Sequence, residues 1–357
     1  MKRVVHQFHA HMSSRDAIGE NMLTIQSELR RSGYESEIFC LYKTEDLDGR
    51  VRHVDEYASF SSPGAVLVVH FSIGFAELDR LFAFPDRKVL AYHNITPPEF
   101  LEDFSPEMAQ YCREGREAVL KFRGRIDLAV GDSEFNVRDL VRLGFEGGKA
   151  IPILFDFKKL DAVPDPEILS RYGDGGWTNW LFVGKLFPNK KQEDVIKAFY
   201  YYKKYINPRS RLILVGASRH IRIYYEYLRY LAHYLGLTDV IFTDSIPGNE
   251  LAAYYRVAHL FVSMSEHEGF CVPLLEAMYS GIPIMAYDSS AVPETLGGAG
   301  ALIKEKKFPE IAELAHYILE NGELRKKLAA DQKRRLEVYS TERVLRKWRD
   351  TLEPFFQ

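Results

Sequence analysis

Two carboxylates, Glu268 and Glu276, stand eight positions apart in the string SEHEGFCVPLLEAMYSG at Ser265–Gly281, around a Gly-Phe-Cys-Val-Pro turn. The apolar run Leu260–Met264 before them reads as a buried strand, and Pro273–Tyr279 reads as a helix. Pro273 suits the first helical position, where its missing N–H costs nothing. The amides of Gly269, Phe270, Cys271 and Val272 then enter a helix N-terminus, a ready site for phosphate or sugar hydroxyls. Glu268 sits on the strand exit and Glu276 about one turn into the helix. Both can face the carboxyl edge of a sheet, where alternating α/β sheets bind ligands. The plainer reading is one solvated Glu and one helix-start Glu that complements the dipole.

A second constellation lies in WLFVGKLFPNKKQEDVIKAF, from Trp180 to Phe199. A strand ends at Val183, Gly184 makes the turn, and Lys185 and Lys190 follow before a helix. Lysines beside such a turn neutralise a diphosphate, or simply coat a solvated loop. In RDAIGEN, Arg15–Asn21, Gly19 at a helix start lets backbone amides approach a phosphate, or is merely tolerated in a capped first turn. His93 ends a strand in AYHNITPPEF and either faces a ligand or caps the sheet. Glu294 in AVPET, Ala291–Thr295, reads as a helix-start carboxylate more than a catalyst.

Other groupings carry less. His6, His9 and His11 match no closed zinc spacing, and no carboxylates cluster with them. Asp46-Leu47-Asp48 is a DxD pair in a polar loop and reads as a solvated turn. Tyr224, Tyr225, Tyr227, Tyr230 and Tyr234 crowd one helix and read as packing. A dinucleotide fingerprint, G-x-G-x-x-G, is absent from both HQFHAHMSSRDAIG and LVGASRH.

The elements that must position these residues alternate along the chain. Short apolar strands are expected at Arg3–Phe8, Glu37–Leu41, Ala65–Phe71, Val89–His93, Leu128–Gly131 and Ala150–Leu154. Helical periodicity lies at Ile18–Ser32, Pro106–Phe122 and Glu134–Leu143. The stretch Asp156–Trp177, with Pro164, Pro166, Gly173, Gly175 and Gly176, reads as a linker. Strands then recur at Trp180–Val183, Arg211–Val215, Val240–Thr243, Leu260–Ser263 and Pro283–Ala286, and Phe308–Leu352 is almost all helical. This βαβα pattern predicts an α/β protein of two doubly wound domains with parallel sheets.

Composition agrees with a globular enzyme or binding protein. The 357 residues are 46% hydrophobic and 27% charged, enough for two ordinary domains. A net charge of −3 offers no global field for nucleic acid. Cys40, Cys112 and Cys271 lie far apart, without a disulfide framework or a CxxC pair, which suits a reducing cytosol. The start MKRVVHQFH has no signal-peptide core, and no apolar run reaches about 18 residues. A cytoplasmic protein is expected. Lys121, Arg123 and Arg125 around Phe122, with Arg30 and Arg31, form a candidate peripheral patch for the inner face of a membrane.

The string EGFCVPLLEAMYSGIPIMA resembles the signature of the retaining glycosyltransferases of family 4 (group 1 glycosyltransferases), which have the GT-B fold. Segments Leu181–Lys191, Ser265–Thr295, Arg3–Glu28 and Lys88–Phe100 carry the resemblance in the right order. It implies two Rossmann-like domains facing a cleft: residues 1–160 on the acceptor side, 161–340 binding the nucleotide sugar, and a C-terminal helix in 341–357 crossing back. It further implies transfer of a hexose, of mannose or glucose type, from a nucleotide-diphosphate sugar to a glycan, lipid-linked or small-molecule acceptor, as in polysaccharide biosynthesis. No metal and no cofactor beyond the donor is expected. HNITPPEF leans toward GDP-mannose, with a UDP-sugar next. Epimerase or phosphorylase activity, or sugar-nucleotide binding without catalysis, is the alternative.

The implied roles follow the motifs. Lys185 and Lys190 would grip the diphosphate with Gly184, and Gly19 would bring amides to the same phosphates. Glu268 and the amides of Gly269, Phe270, Cys271 and Val272 would hold sugar hydroxyls. Glu276 would accept from both ribose hydroxyls, and His93 would reach the transferred sugar. Lys185 stands where the family often carries Arg, and Ala17-Ile18-Gly19 where many members have a Gly pair.

Overall fold

The computed structural model describes residues 3–13, 16–75, 77–173 and 175–357. They divide into two compact units: residues 1–98, 107–156 and 338–357, and residues 99–106 and 157–337.

The first unit is built on seven parallel strands, with helices before and after them. Along the chain run β1 (Val4–Met12), α1 (Ala17–Arg31), β2 (Ile38–Lys43), β3 (Arg52–His53), β4 (Ala65–Phe71), α2 (Leu78–Ala83), β5 (Arg87–Tyr92), α3 (Pro106–Ala118), β6 (Leu128–Gly131), α4 (Glu134–Arg142) and β7 (Lys149–Ala150). The sheet order is β3-β2-β1-β4-β5-β6-β7. Every residue of β4, AVLVVHF, is buried, as a central parallel strand covered on both faces requires. Asp16 caps α1, and Gly33 ends it in a left-handed turn at φ 85°. The order reverses between β1 and β4, which makes the carboxyl ends of these strands the switch point where such sheets open a ligand crevice.

The second unit repeats the plan with α5 (Pro166–Tyr172), β8 (Thr178–Val183), α6 (Gln192–Tyr205), β9 (Ser210–Val215), α7 (Arg222–Tyr234), β10 (Val240–Asp244), α8 (Gly248–Val257), β11 (Leu260–Ser263), α9 (Val272–Tyr279), β12 (Ile284–Tyr287), α10 (Val292–Leu296), β13 (Ala301–Ile303), α11 (Phe308–Glu320) and α12 (Gly322–Leu336). Its sheet is six parallel strands in the order β10-β9-β8-β11-β12-β13. The switch point here lies between β8 and β11, the two strands that lead into the Gly184 turn and the Ser265–Cys271 loop. The short segment at residues 99–106 belongs to this unit, where Phe104 packs edge-on to Tyr224 with ring centroids 5.0 Å apart.

The last helix, α13 (Thr341–Leu352), belongs to the first unit. Its Val344, Trp348 and Leu352 join Val5, Val66, Val89 and Val130 in one core. Arg3 holds Glu353 through two hydrogen bonds of 2.9 and 2.7 Å.

The structure differs from the sequence reading in several elements. The expected linker at 156–177 contains α5, capped by Asp165, whose carboxylate accepts from the amides of Glu167 and Ile168. The strand expected at Ala150–Leu154 pairs only at Lys149–Ala150, although Ile151 still donates to the Gly131 carbonyl at 2.9 Å. The short strands β3 and β13 and the short helix α2 lie outside the sequence reading.

Candidate active site

The loops after β8 and β11 are tied together at the second switch point. The Glu266 amide donates to the Asn189 carbonyl at 2.9 Å, and the Asn189 side-chain amide donates to the His267 carbonyl at 3.0 Å. Lys190 completes this clasp with a 2.6 Å ion pair to Glu268. The Glu268 side chain is 9% exposed and that of Lys190 23%, so the pair is largely shielded from water. The Glu268 amide donates to the Ser290 hydroxyl at 2.8 Å, and the Ala291 amide donates to the Glu268 carbonyl at 3.3 Å. Glu268 is thus held from both sides, by the β8 loop and by the segment leading into α10.

Cys271, the N-cap of α9, sits in the left-handed region at φ 73°. A β-carbon there is uncommon and costs energy that surrounding contacts must supply. The Thr295 hydroxyl donates to the Phe270 carbonyl at 2.5 Å. Burial, then the neighbouring Glu268 charge, pushes the Cys271 thiol well above its ordinary range, so it is a neutral packing group rather than a nucleophile. Val272 begins the helix and Pro273 is its second residue.

Glu276 is buried one turn further along α9, where its carboxylate accepts a 2.7 Å hydrogen bond from the Tyr255 hydroxyl. Burial, then the Glu276 charge, holds the Tyr255 phenol neutral. Sequence reasoning missed Tyr255, because 21 residues and a strand separate it from its partner.

Gly184 leaves β8 at φ 151°. Gly216, after β9, approaches it so closely that a β-carbon would lie 1.9 Å from the Gly184 carbonyl oxygen. The Lys185 side chain is exposed and forms no ion pair among the described residues, and it lies near enough to His220 to hold that imidazole down after burial has lowered it. Lys306, also missed, reaches under the β11 exit to Asp194 at 2.8 Å, Glu266 at 2.6 Å and the Met264 carbonyl at 3.2 Å. It fixes Glu266, the residue that pairs with Lys191 at 3.6 Å. A cavity of about 1070 Å³ opens at the amino edge of this sheet, beside Arg256, His259 and Arg325, away from the clasp.

In the first unit, His93 follows β5 with its ring buried. Its Nδ1 lies 2.8 Å from Asp132 and its Nε2 lies 2.8 Å from His70 Nδ1. Donation to any other group requires breaking one of these contacts. The Gly19 amide donates to Asp16 at 2.8 Å, and a β-carbon on Gly19 would lie 1.8 Å from the Ser13 carbonyl oxygen. Its glycine is demanded by this close approach of β1 exit and helix. Arg15 lies outside the described residues.

Phe122, at the centre of the expected basic patch, is fully buried, while Lys121, Arg123, Arg125, Arg30 and Arg31 are exposed. Lys121 and Arg125 share Asp79 at 3.2 and 3.1 Å, Arg30 pairs with Glu37, and Arg31 with Glu28. Among the described residues no helix is long and apolar enough to cross a membrane. Asp48 pairs with Lys43 at 3.1 Å, and the His9 ring meets the His70 carbonyl at 2.9 Å. Tyr224 is buried, whereas Tyr230 and Tyr234 are exposed.

Residues 178–335 match the family described as Glycosyl transferases group 1. The chain is 28% identical over 170 residues to the GDP-mannose-dependent alpha-(1-6)-phosphatidylinositol monomannoside mannosyltransferase of Mycobacterium tuberculosis, covering 44% of this chain and 43% of that one. It is 33% identical over 115 residues to the MMP alpha-(1->4)-mannosyltransferase of Mycolicibacterium hassiacum, covering 31% and 28%. The chain therefore spans less than half the length of these curated relatives. Among solved structures, Anabaena HepE in complex with UDP-glucose superposes with a TM-score of 0.78 at 15% identity, covering 98% of this chain and 99% of that one. Sucrose-phosphate synthase from Thermosynechococcus elongatus gives 0.76 at 16%, covering 99% of each. These likenesses show the fold, the two parallel-sheet α/β units of GT-B glycosyltransferases.

Proposed function

We propose that this chain is a retaining, metal-independent glycosyltransferase of family 4, moving a hexose from a nucleotide-diphosphate sugar to a glycan, lipid-linked or small-molecule hydroxyl. The observation that carries the reading is the Lys190–Glu268 clasp at the switch point of the second unit, 2.6 Å long and beside the N-terminus of α9. A lysine ammonium has three donors, and Glu268 takes one. Two remain for diphosphate oxygens, while the Glu268 carboxylate, which also meets the Cys271 thiol, has further lone pairs for a sugar hydroxyl. One ion pair would thus address both sides of the bond that breaks.

When that bond breaks, negative charge grows on the diphosphate and positive charge on the sugar ring. Lys185, Lys190 and the amides entering α9 would take up the negative charge. The acceptor hydroxyl would attack the face that the leaving group departs. A diphosphate oxygen would receive the acceptor proton, so the chain need supply no dedicated base. Glu276, oriented by Tyr255, would accept from the ribose diol. GDP-mannose is the favoured donor, supported by the mycobacterial relative, with UDP-sugars next. Recognition of the acceptor is assigned to the first unit, where His93 is the residue proposed to bear on turnover.

Calorimetry with GDP, UDP and ADP tests the nucleotide site. One nucleoside diphosphate is expected to bind the wild-type protein, and Glu276→Ala is expected to weaken that binding by about 10–100-fold, the loss of one or two charged hydrogen bonds. An unchanged dissociation constant in the folded variant returns Glu276 to the role of a buried partner for Tyr255.

A further inference from the structure

Four buried side chains of the first unit, from β1, from β4 and from the exits of β5 and β6, form a single line of hydrogen bonds. The Gln7 Nε2 donates to the Met22 carbonyl at 3.0 Å. That fixes the amide, and its Oε1 faces His70 Nε2 at 3.1 Å. An amide oxygen cannot donate, so His70 Nε2 carries a hydrogen. His70 Nδ1 faces His93 Nε2 at 2.8 Å. The two ring planes are 8° apart with centroids separated by 5.1 Å, so the rings meet edge to edge, nitrogen to nitrogen. His93 Nδ1 faces both Asp132 oxygens, at 3.0 and 2.8 Å.

The line has three gaps, each needing one hydrogen. Two neutral imidazoles bring two. His70 already spends its hydrogen on Gln7, so the hydrogen between the rings comes from His93 Nε2, and His93 Nδ1 supplies the one toward Asp132. His93 therefore carries both, and the carboxylate of Asp132 balances it. We propose that His70 is a positioning residue whose bare Nδ1, with the Asp132 carboxylate, holds His93 as an imidazolium at neutral pH.

The surroundings agree. Complete burial keeps His70 neutral, far below the ordinary histidine value. His9, on β1, touches the His70 carbonyl at 2.9 Å and is pushed down to about 4, chiefly by burial, so it brings no competing charge. From the β5 exit and α4, Asn94 and Asn136 bond each other at 2.9 Å and are neutral. Asp139 on α4 is occupied by the Tyr92 hydroxyl at 2.8 Å and by Arg116 of α3 at 3.5 Å. Asp132 is left as the counter-charge to His93.

A histidine held in this way is a fixed positive charge and a donor at both nitrogens, never a base. The protonation state stands on the hydrogen bonds of the first unit alone. Its bearing on turnover rests on the proposed glycosyl transfer, and the two fail separately, because the test needs no substrate. The full chain labelled with ¹⁵N-histidine is examined by long-range ¹H–¹⁵N NMR at pH 7.5. One ring is expected with both nitrogens protonated, assigned to His93 by its absence in His93→Gln. A second ring, His70, is expected protonated at Nε2 only. Asp132→Asn, without the counter-charge, is expected to lose the doubly protonated signal at that pH. Neutral rings at both positions in the wild-type protein overturn the proposal, and that reading stands whether or not either variant folds. A doubly protonated His93 surviving in folded Asp132→Asn overturns it as well.

Discussion

Replacing Lys190 by alanine is expected to slow glycosyl transfer by about 10²–10³-fold, roughly 2–4 kcal/mol of transition-state stabilisation. The charge that develops on a departing diphosphate meets no metal in this proposal, so an ammonium beside it carries a large share of the stabilisation. The structure adds a complication that the sequence hides. Glu268 is 9% exposed and bonded to Lys190 at 2.6 Å, so the variant also strands a shielded carboxylate. Removing one partner of a buried pair destabilises the fold strongly. A lower melting temperature is therefore expected alongside the lower rate. Lys185→Ala separates the two effects. Lys185 is exposed and makes no ion pair among the described residues, so its loss is expected to cut the rate while the melting temperature stays put. Initial rates well below the melting transition, set beside melting curves for both variants, decide it. Full activity in both, or inactivation by EDTA that manganese reverses, removes the lysines from the chemistry.

The second large effect is expected at His93. His93→Ala leaves Asp132 and His70 facing a cavity, and each stranded buried group costs about 1–3 kcal/mol. Instability alone leaves the turnover of the folded fraction normal. The proposed role in turnover requires more: a kcat loss of about 10²-fold at a temperature where the variant is fully folded, with nucleotide affinity unchanged. Calorimetry with the nucleoside diphosphate and initial rates on the same sample give both numbers. A destabilised variant with normal kcat makes His93 a structural link between β4 and β6, and nothing else.

Much of this arrangement is legible in one dimension because it is local. Ala65–Phe71 and Leu128–Gly131 are strands with the bounds their apolar runs give, and Leu260–Tyr279 folds as strand, loop and helix. Short-range signals failed where they conflicted. Pro164, Pro166 and three glycines read as a linker, yet Asp165 followed by Pro166 is also a helix start, and the structure uses it so. At Cys271 the chain takes a left-handed turn that no propensity for cysteine suggests. Long-range partners left no trace at all. His70 and His93 are 23 residues apart, Gln7 and His70 are 63 apart, and only the parallel order β1-β4-β5-β6 brings them into line. Lys306, Tyr255 and the Lys190–Glu268 bond are likewise products of the sheet order and not of spacing.

The central claim is that the chain transfers a hexose from a nucleotide-diphosphate sugar. It is tested most directly by following GDP-mannose, UDP-glucose and ADP-glucose separately with the protein in the presence of EDTA, by proton NMR of the anomeric region. One donor is expected to lose its sugar–phosphate signal in step with release of the nucleoside diphosphate, to water or to an added glycan. Any transferred sugar is expected to keep the anomeric configuration of the donor, and Lys190→Ala is expected to show little of the reaction. Nucleotide binding without sugar release from any of the three, or a product of inverted configuration, contradicts it.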